Sequence, residues 1–370
     1  MTRRGVTSRA GAHETPAALG YRMPAEWEPH GRTWLAWPHN QSDWPGKAAA
    51  IPWVLAEVAR QLHQTERVGI VVRSAQEQRS VRRLLERVGV PSGAVDFFRH
   101  PTDRSWTRDY LPSFVIRRTS RGRQHLGAVK WRFDGWARYS NYRQDEMAGA
   151  AVAARFACRT WEPTYQSRGR SRRVVMEGGA IDVDGEGTAL ASEQCLLSGR
   201  RARNPGLGRA GTEQVFCEHL AARKVLWVSG GLAGDDTSGH VDDFVRFVAP
   251  AKIVLSEARD RRDPNHRSLA RARERLTGVV DARGRKLEIV ALPLPAPLFF
   301  GKDRLPASYA NFYIANRTVL VPTFNDPADR VALGLLSELF AGRRVVGIHC
   351  VDLVLGLGTL PPQDEGLKSA

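Results

Sequence analysis

Amphipathic helical stretches alternate with short apolar runs along most of this chain, and that alternation restricts it to α/β architectures. Val54, Leu55, Val58 and Leu62 recur at helical spacing over 51–64, and RVGIVV at 67–72 follows as a buried strand. Val81, Leu84, Leu85 and Val88 mark a second helix over 75–88, ahead of a strand at 95–98. Further strands are expected at 112–117, 127–133, 224–228, 252–256, 287–292, 318–322 and 344–348, with helices near 144–157, 212–222, 265–276 and 328–340. AIDVDGEGTALAS at 180–192 reads differently, as two alternating strands joined through Asp184-Gly185-Glu186-Gly187. Hairpins inside the alternation argue against a purely parallel sheet, and no G-x-G-x-x-G follows a strand where a dinucleotide site needs one. No linker is convincing enough to cut the chain, so residues 21–366 are expected to form a single domain between a mobile tail over 1–20 and a short one over 367–370.

Composition narrows the function classes. The 370 residues carry a formal charge of +16, but the 55 basic residues are 48 arginines and 7 lysines. A nucleic-acid surface usually mixes and clusters both cations, so this imbalance reads as a genome-wide bias and argues against a nucleic-acid partner. No window approaches the ~18 consecutive apolar residues of a membrane span, and the N-terminal stretch has no apolar block resembling a signal peptide. No membrane association is expected, and the cytoplasm is the expected location. Cys158, Cys195, Cys217 and Cys350 are widely spaced without a CxxC pair, which points to free thiols in a reducing compartment.

Two loops concentrate chemistry. GDDTSGHVDD at 234–243 sets Asp235, Asp236, His240, Asp242 and Asp243 beside two glycines. If 241–247 is a strand, His240 and Asp242 project from the same face and can hold one ligand, the imidazole exchanging protons while the carboxylate holds a cation. A capping role for the aspartates, or a Zn or Mn pair, is the competing reading. SWTRDYLPSF at 105–114 places Asp109 to anchor a cation and Trp106 as an aromatic wall, against a simple Arg108–Asp109 ion pair. Glu177, followed by two glycines that permit close backbone approach, is a candidate third acid, and Cys195 reads as a small core residue. YRMPAEWEPHGRTWLAWP at 21–38 gathers Trp27, Trp34 and Trp37 about His30, a composition suited to a core edge or a pocket rim. PASYANFYIANRTVLVPTFND at 306–326 reads mostly as structure.

Taken in order, MPAEWEPHGRTWLAWP, WTRDYLPSF, EGGAIDVDGEGTALASEQCLLS, GDDTSGHVDDFVRF and PASYANFYIANRTVLVPTFND resemble the motifs of the agmatine deiminase and bacterial peptidylarginine deiminase family, from about Met23 to Gly358. The resemblance implies a pentein fold, a five-fold pseudo-symmetric α/β propeller of ββαβ-like units. It implies hydrolysis of a guanidino group to a ureido group and ammonia without metal or organic cofactor, as in agmatine to N-carbamoylputrescine on the route to putrescine. The substrate would be a small guanidino compound such as agmatine, free arginine, or peptidyl-arginine, and a homodimer is expected because relatives often form dimers. By resemblance Asp109 and Asp242 hold the guanidinium, His240 protonates the departing ammonia and then deprotonates water, Glu177 assists, and Trp106 and Asp236 border the substrate.

The chain departs from the family at its C-terminus. The family carries a nucleophilic cysteine there, in a Gly-rich stretch ending His-Cys, whereas this sequence reads GLGTLPPQDEG at 356–366. Either Pro361 and Pro362 stand in place of His-Cys, or that pair is deleted ahead of them. Proline has no nucleophilic atom, and losing the attacking thiolate removes nearly all covalent catalysis. Cys350, on the expected strand at 344–348 and its end, reads as a core thiol rather than a substitute. Leu111 sits where the family usually has glycine, so the backbone beside Asp109 is expected to shift, and Asp236 replaces a usual glutamate, one methylene shorter. The expectation is thus a guanidino-binding site with its usual nucleophile missing, and two readings follow: residual hydrolase, or inactive guanidino-binding pseudoenzyme.

Overall fold

The computed structural model describes residues 14–360 and 363–366, with Arg200, Glu365 and Gly366 described by backbone alone. Pro361 and Pro362 lie outside the described residues, as do 1–13 and 367–370 of the two expected tails. Residues 14–20 correct the extent of the N-terminal tail. Ala17–Leu19 form a 3-10 turn, the Glu14 carbonyl accepts from Trp161 Nε1 at 2.6 Å, and Tyr21 N–H donates to the Pro16 carbonyl at 2.9 Å.

One motif recurs: an antiparallel strand pair, a helix, then a strand parallel to the second of the pair. Ser113–Arg118 and Gln124–Val129 pair antiparallel, and after the helix Arg143–Arg155 the strand Arg159–Trp161 returns parallel. Ile181–Val183, Thr188–Ser192, the helix Gly208–Leu220 and Lys224–Val228 repeat the pattern. So do Val245–Ala249, Lys252–Glu257, the helix Pro264–Leu276 and Glu288–Pro293. Tyr313–Ile314, Thr318–Thr323, the helix Pro327–Leu339 and Arg344–His349 give a fourth copy. The fifth copy uses both ends of the chain: Gln363–Gly366 pairs antiparallel with His30–Ala36, with Trp34 opposite Gln363, and the helix Ile51–Leu62 leads to Arg67–Val72 and, through Ala75–Arg87, to Val95–Arg99. Five ββαβ units are what the family resemblance implies; closure of the last by the two ends of the chain is seen only in the structure.

The units form for local reasons. The helix Ala75–Arg87 is capped by Ser74, whose hydroxyl accepts from Glu77 N–H, and Pro327–Leu339 starts with a capping box from Asp326 and Asp329. The hairpin expected at 180–192 is present, with Ala189 opposite Val183. The expected strand at 241–247 is not. Val241–Asp243 form a 3-10 turn and the strand begins at Val245, because Asp242 and Asp243 turn inward toward the centre instead of alternating across a sheet.

Tryptophans seal the core where the fifth unit meets the first. Trp34 is fully buried and meets Phe98 and Phe156 edge-on, with centroids 6.3 and 6.0 Å apart. Trp34 therefore takes the core-edge role, and Trp37 packs on the same core while also lining a surface groove with Pro38 and His39. Beneath them His30 Nε2 lies 3.1 Å from Glu66 Oε1, with Tyr313 OH 3.3 Å from the same nitrogen.

Candidate active site

Loops and turns beside the strand pairs line a half-open cavity of about 40 Å³. Its wall includes Trp106, Asp109, Asp236, His240, Asp242 and Asp243, six of the residues singled out from the sequence. Glu177 is not on that wall. It lies behind His240, fully buried, with Arg203 Nε 2.7 and 3.0 Å from its two carboxylate oxygens.

Asp109 is held on a four-residue helical turn, Thr107–Tyr110, at the mouth of the strand that follows. Its Oδ1 accepts from the Gly179 backbone N–H and its Oδ2 from Trp136 Nε1, each at 3.0 Å. Two donors fix the plane of the carboxylate and leave acceptor capacity on each oxygen. Leu111 has an extended backbone, with φ −73° and ψ 160°, which any residue can adopt.

His240 stands among three carboxylates. Its Nδ1 is 3.9 Å from Asp109 Oδ1 and 3.9 Å from Asp242 Oδ1, and its Nε2 is 3.5 Å from Glu177 Oε2. Burial alone would favour neutral imidazole, but Asp109, Cys195 and Glu177 overcome it and raise the His240 pKa well above its ordinary value. Burial works against ionised Glu177 as well, yet the Arg203 guanidinium and His240 hold its carboxyl at about 2. Asp242 goes the other way. Burial pushes it up to about 6, partly offset by His240 and Arg108. No hydrogen bond among the described residues engages the Asp242 carboxylate, so it is an open acceptor.

The two glycines after Glu177 explain this density. A Cβ on Gly179 would lie 2.4 Å from His240 Nδ1 and 3.0 Å from both Asp242 oxygens. A Cβ on Gly178 would lie 2.3 Å from the Arg108 carbonyl oxygen. Asp235 takes the capping role weighed for that loop: it accepts from Thr237 N–H at 2.7 Å and Gly239 N–H at 2.5 Å. Asp236 reaches the cavity, where Tyr139 OH donates to its Oδ2.

Several wall residues had no expected role. Trp136 and Tyr139 come from FDGWARYSN at 133–141, a turn in which Gly135, Trp136 and Ala137 all have positive φ. Strain in two consecutive non-glycine residues aims the Trp136 indole N–H at Asp109. Arg104, paired with Asp43, lays its guanidinium on the Tyr139 ring at 4.0 Å. Asn311, from the segment read mostly as structure, accepts from Thr359 N–H at 3.0 Å and Leu360 N–H at 3.2 Å, tying the C-terminal loop to the cavity. That loop passes Trp106 so closely that a Cβ on Gly356 would lie 2.8 Å from the indole.

No thiol reaches the cavity. Cys350 is fully buried in the core, where burial raises its thiol pKa, and Cys195 is equally buried behind His240. Cys158 and Cys217 are not part of the wall. The ligand atoms of Glu177, Cys195 and His240 lie within 4.8 Å of one another, a spacing that could hold a metal ion, but the Arg203 guanidinium already supplies the positive charge on Glu177.

Five ββαβ units around a central acidic cavity make this a pentein-fold protein. An amidinotransferase from Microseira wollei shares that fold alone, at a TM-score of 0.50 and 12% identity. The family model described as Porphyromonas-type peptidyl-arginine deiminase matches residues 22–361, and the chain belongs to this family, which includes the agmatine deiminases. Agmatine deiminase of Ectopseudomonas mendocina (strain ymp) is 33% identical, covering 94% of this chain and 95% of that protein. Agmatine deiminase of Pseudomonas fluorescens (strain SBW25) is 35% identical at the same coverages, 94% and 95%. Among solved structures, agmatine deiminase of Enterococcus faecalis superposes with a TM-score of 0.86 at 30% identity, covering 98% of this chain and 100% of that one. The family is one of enzymes, hydrolases of guanidino C–N bonds.

Proposed function

We propose that this protein binds a small guanidino compound, agmatine being the best candidate, and holds it without the covalent thiolate step of deimination. The observation that carries this reading is the pairing of two cavity carboxylates, Asp109 and Asp242, with a wall that contains none of the four cysteines. A guanidinium is planar and cationic with paired N–H donors, and carboxylates receive it by bidentate charge-assisted bonds. Asp109 is oriented for this by Gly179 and Trp136, and Asp242 has its acceptors free. Trp106 gives the ligand an apolar wall, and Asp236 a carboxylate farther along the cavity.

Turnover needs a nucleophile and a group to take its proton. The carboxylates around His240 favour its imidazolium form, which can donate a proton to a leaving amine and, once neutral, take one from water. With proline at 361 and 362 and no thiol on the wall, the covalent route has no attacking atom. The second reading, hydrolysis of agmatine to N-carbamoylputrescine and ammonia, is favoured by agmatine deiminases 33% and 35% identical over 94% of the chain. Calorimetry with agmatine, run beside an assay for ureido product and ammonia, separates the two. Saturable binding without product is expected. Stoichiometric excess of product over protein restores the hydrolase, and absence of binding removes the guanidinium reading altogether.

A further inference from the structure

Glu26, from the N-terminal MPAEWEPH segment, does not touch the cavity, yet it is a buried carboxylate with two arginines on it. Arg108 Nη2 donates to its Oε2 at 2.5 Å, Arg246 Nη2 lies 2.9 Å from its Oε1, and the Ile314 N–H donates to Oε1 at 2.8 Å. Burial opposes the charge on Glu26, and the two arginines overcome it, holding the carboxyl at about 2. Arg246 is anchored elsewhere too, by Asp182 at 3.2 Å and the Phe312 carbonyl at 2.9 Å. Arg108 is different. Its Nε has no hydrogen-bond partner, is buried, and stands 3.8 Å from Asp242 Oδ2. The protein's own guanidinium is thus poised just short of contact with a carboxylate that the ligand's guanidinium needs.

We propose that Glu26 is a positioning residue that restrains Arg108 and so keeps Asp242 open for the ligand. The inference rests on the guanidinium-binding reading above. Its physical basis is competition between like groups: an arginine fork and a guanidino ligand present the same donors to the same acceptor. The tight bond to Glu26 fixes one end of the Arg108 head, and Gly178, whose Cβ would lie 2.8 Å from Arg108 Cγ, lets the backbone clamp its stem. About 1 Å of movement, from 3.8 Å to the ~2.8 Å of a charge-assisted bond, would close Arg108 onto Asp242. Removing the Glu26 charge frees that movement. The charged groups that face Asp242 are Arg108 at 3.8 Å, His240 at 3.9 Å and shared with Asp109 and Glu177, then Asp109, Asp243 and Arg246, the last tied to Asp182 and the Phe312 carbonyl.

The test compares the full chain with E26Q and the double variant E26Q/R108Q, by agmatine calorimetry and by carbon-13 NMR titration of the Asp242 carboxyl in ligand-free protein. In E26Q, agmatine binding is expected to weaken about tenfold or more, and the Asp242 midpoint to fall by about one pH unit or more as the cation closes in. In the double variant the rival is gone, and affinity is expected to return to within about threefold of wild type. An unchanged affinity and midpoint in E26Q overturns the proposal. So does a loss that the double variant fails to relieve, which assigns Glu26 a purely structural role. If wild type does not bind agmatine, the guanidinium reading fails, while the ligand-free titration still decides the restraint on Arg108. Should E26Q not fold, E26D, one methylene short of its partner, gives the same comparison with a smaller displacement.

Discussion

Asp242→Asn is the perturbation that isolates the gripping charge. Asparagine has nearly the shape of aspartate, and the Asp242 carboxylate accepts no internal hydrogen bond among the described residues, so no structural bond is lost. The substitution also removes one of several crowded acids, since Asp109 and Asp243 lie beside Asp242. A hydrogen bond to a charged group contributes ~1.5–3 kcal/mol, and a guanidinium edge makes two with a carboxylate. Asparagine keeps one neutral acceptor and presents N–H groups to N–H groups, so a net loss of about 2–4 kcal/mol, or roughly 30- to 700-fold in agmatine affinity, is expected. Isothermal calorimetry at pH 7.5 measures it, and a thermal melt beside it should show a Tm no lower than that of wild type. Affinity within about threefold of wild type, with the fold intact, would refute the assignment of Asp242 as a guanidinium acceptor.

Agmatine affinity is expected to depend on pH through Asp242, whose carboxyl is raised to about 6: binding is full above that value and falls as the acid protonates below it, as a calorimetric pH series reads out. Gly179→Ala would press a methyl against His240 Nδ1 and the Asp242 oxygens, and should abolish detectable agmatine binding at a stability cost of ~1–3 kcal/mol, measured by urea unfolding. His30, raised from 6.5 to about 9 against burial by Glu66, binds its proton more tightly folded than unfolded. Its contribution to stability is therefore complete below pH 6.5 and lost as pH rises through about 9, and Glu66→Gln should flatten that decline while destabilising the protein at pH 6 by about 3 kcal/mol. Replacing Pro361-Pro362 by His-Cys should produce ureido product where wild type gives none, if the missing thiol is the only barrier to turnover.

The repeated architecture was legible because each unit is local. Helical periodicity such as Val81, Leu84, Leu85, Val88 and the turn at Asp184–Gly187 announce their elements without help from the rest of the chain. Five-fold organisation was legible only through the resemblance, since nothing in a local pattern says that Gln363–Gly366 will pair with His30–Ala36 from the other end. The pairing of His240 with Asp242 was expected from strand alternation, but a 3-10 turn brings them together, so the geometry came by a different backbone. Glu177, expected as a third acid that assists, lies one layer behind the cavity wall, paired there with Arg203. Trp136, Tyr139 and Arg104 gave no motif to read, and Asn311 lay in a motif read mostly as structure. Gly-Trp in FDGWARYSN is the nearest signal, and its meaning depends on a strained turn that only the folded chain displays. Glu26 was hidden for the same reason: its partners Arg108, Arg246 and Ile314 are scattered over the sequence and meet only in the centre of the fold.

A crystal structure of the wild-type protein with agmatine tests the central claim most directly. The account predicts an unaltered guanidino group lying between the carboxylates of Asp109 and Asp242, its plane facing His240, with no covalent bond to the chain. Electron density for agmatine away from those two side chains, or for a ureido product in the cavity, would contradict it.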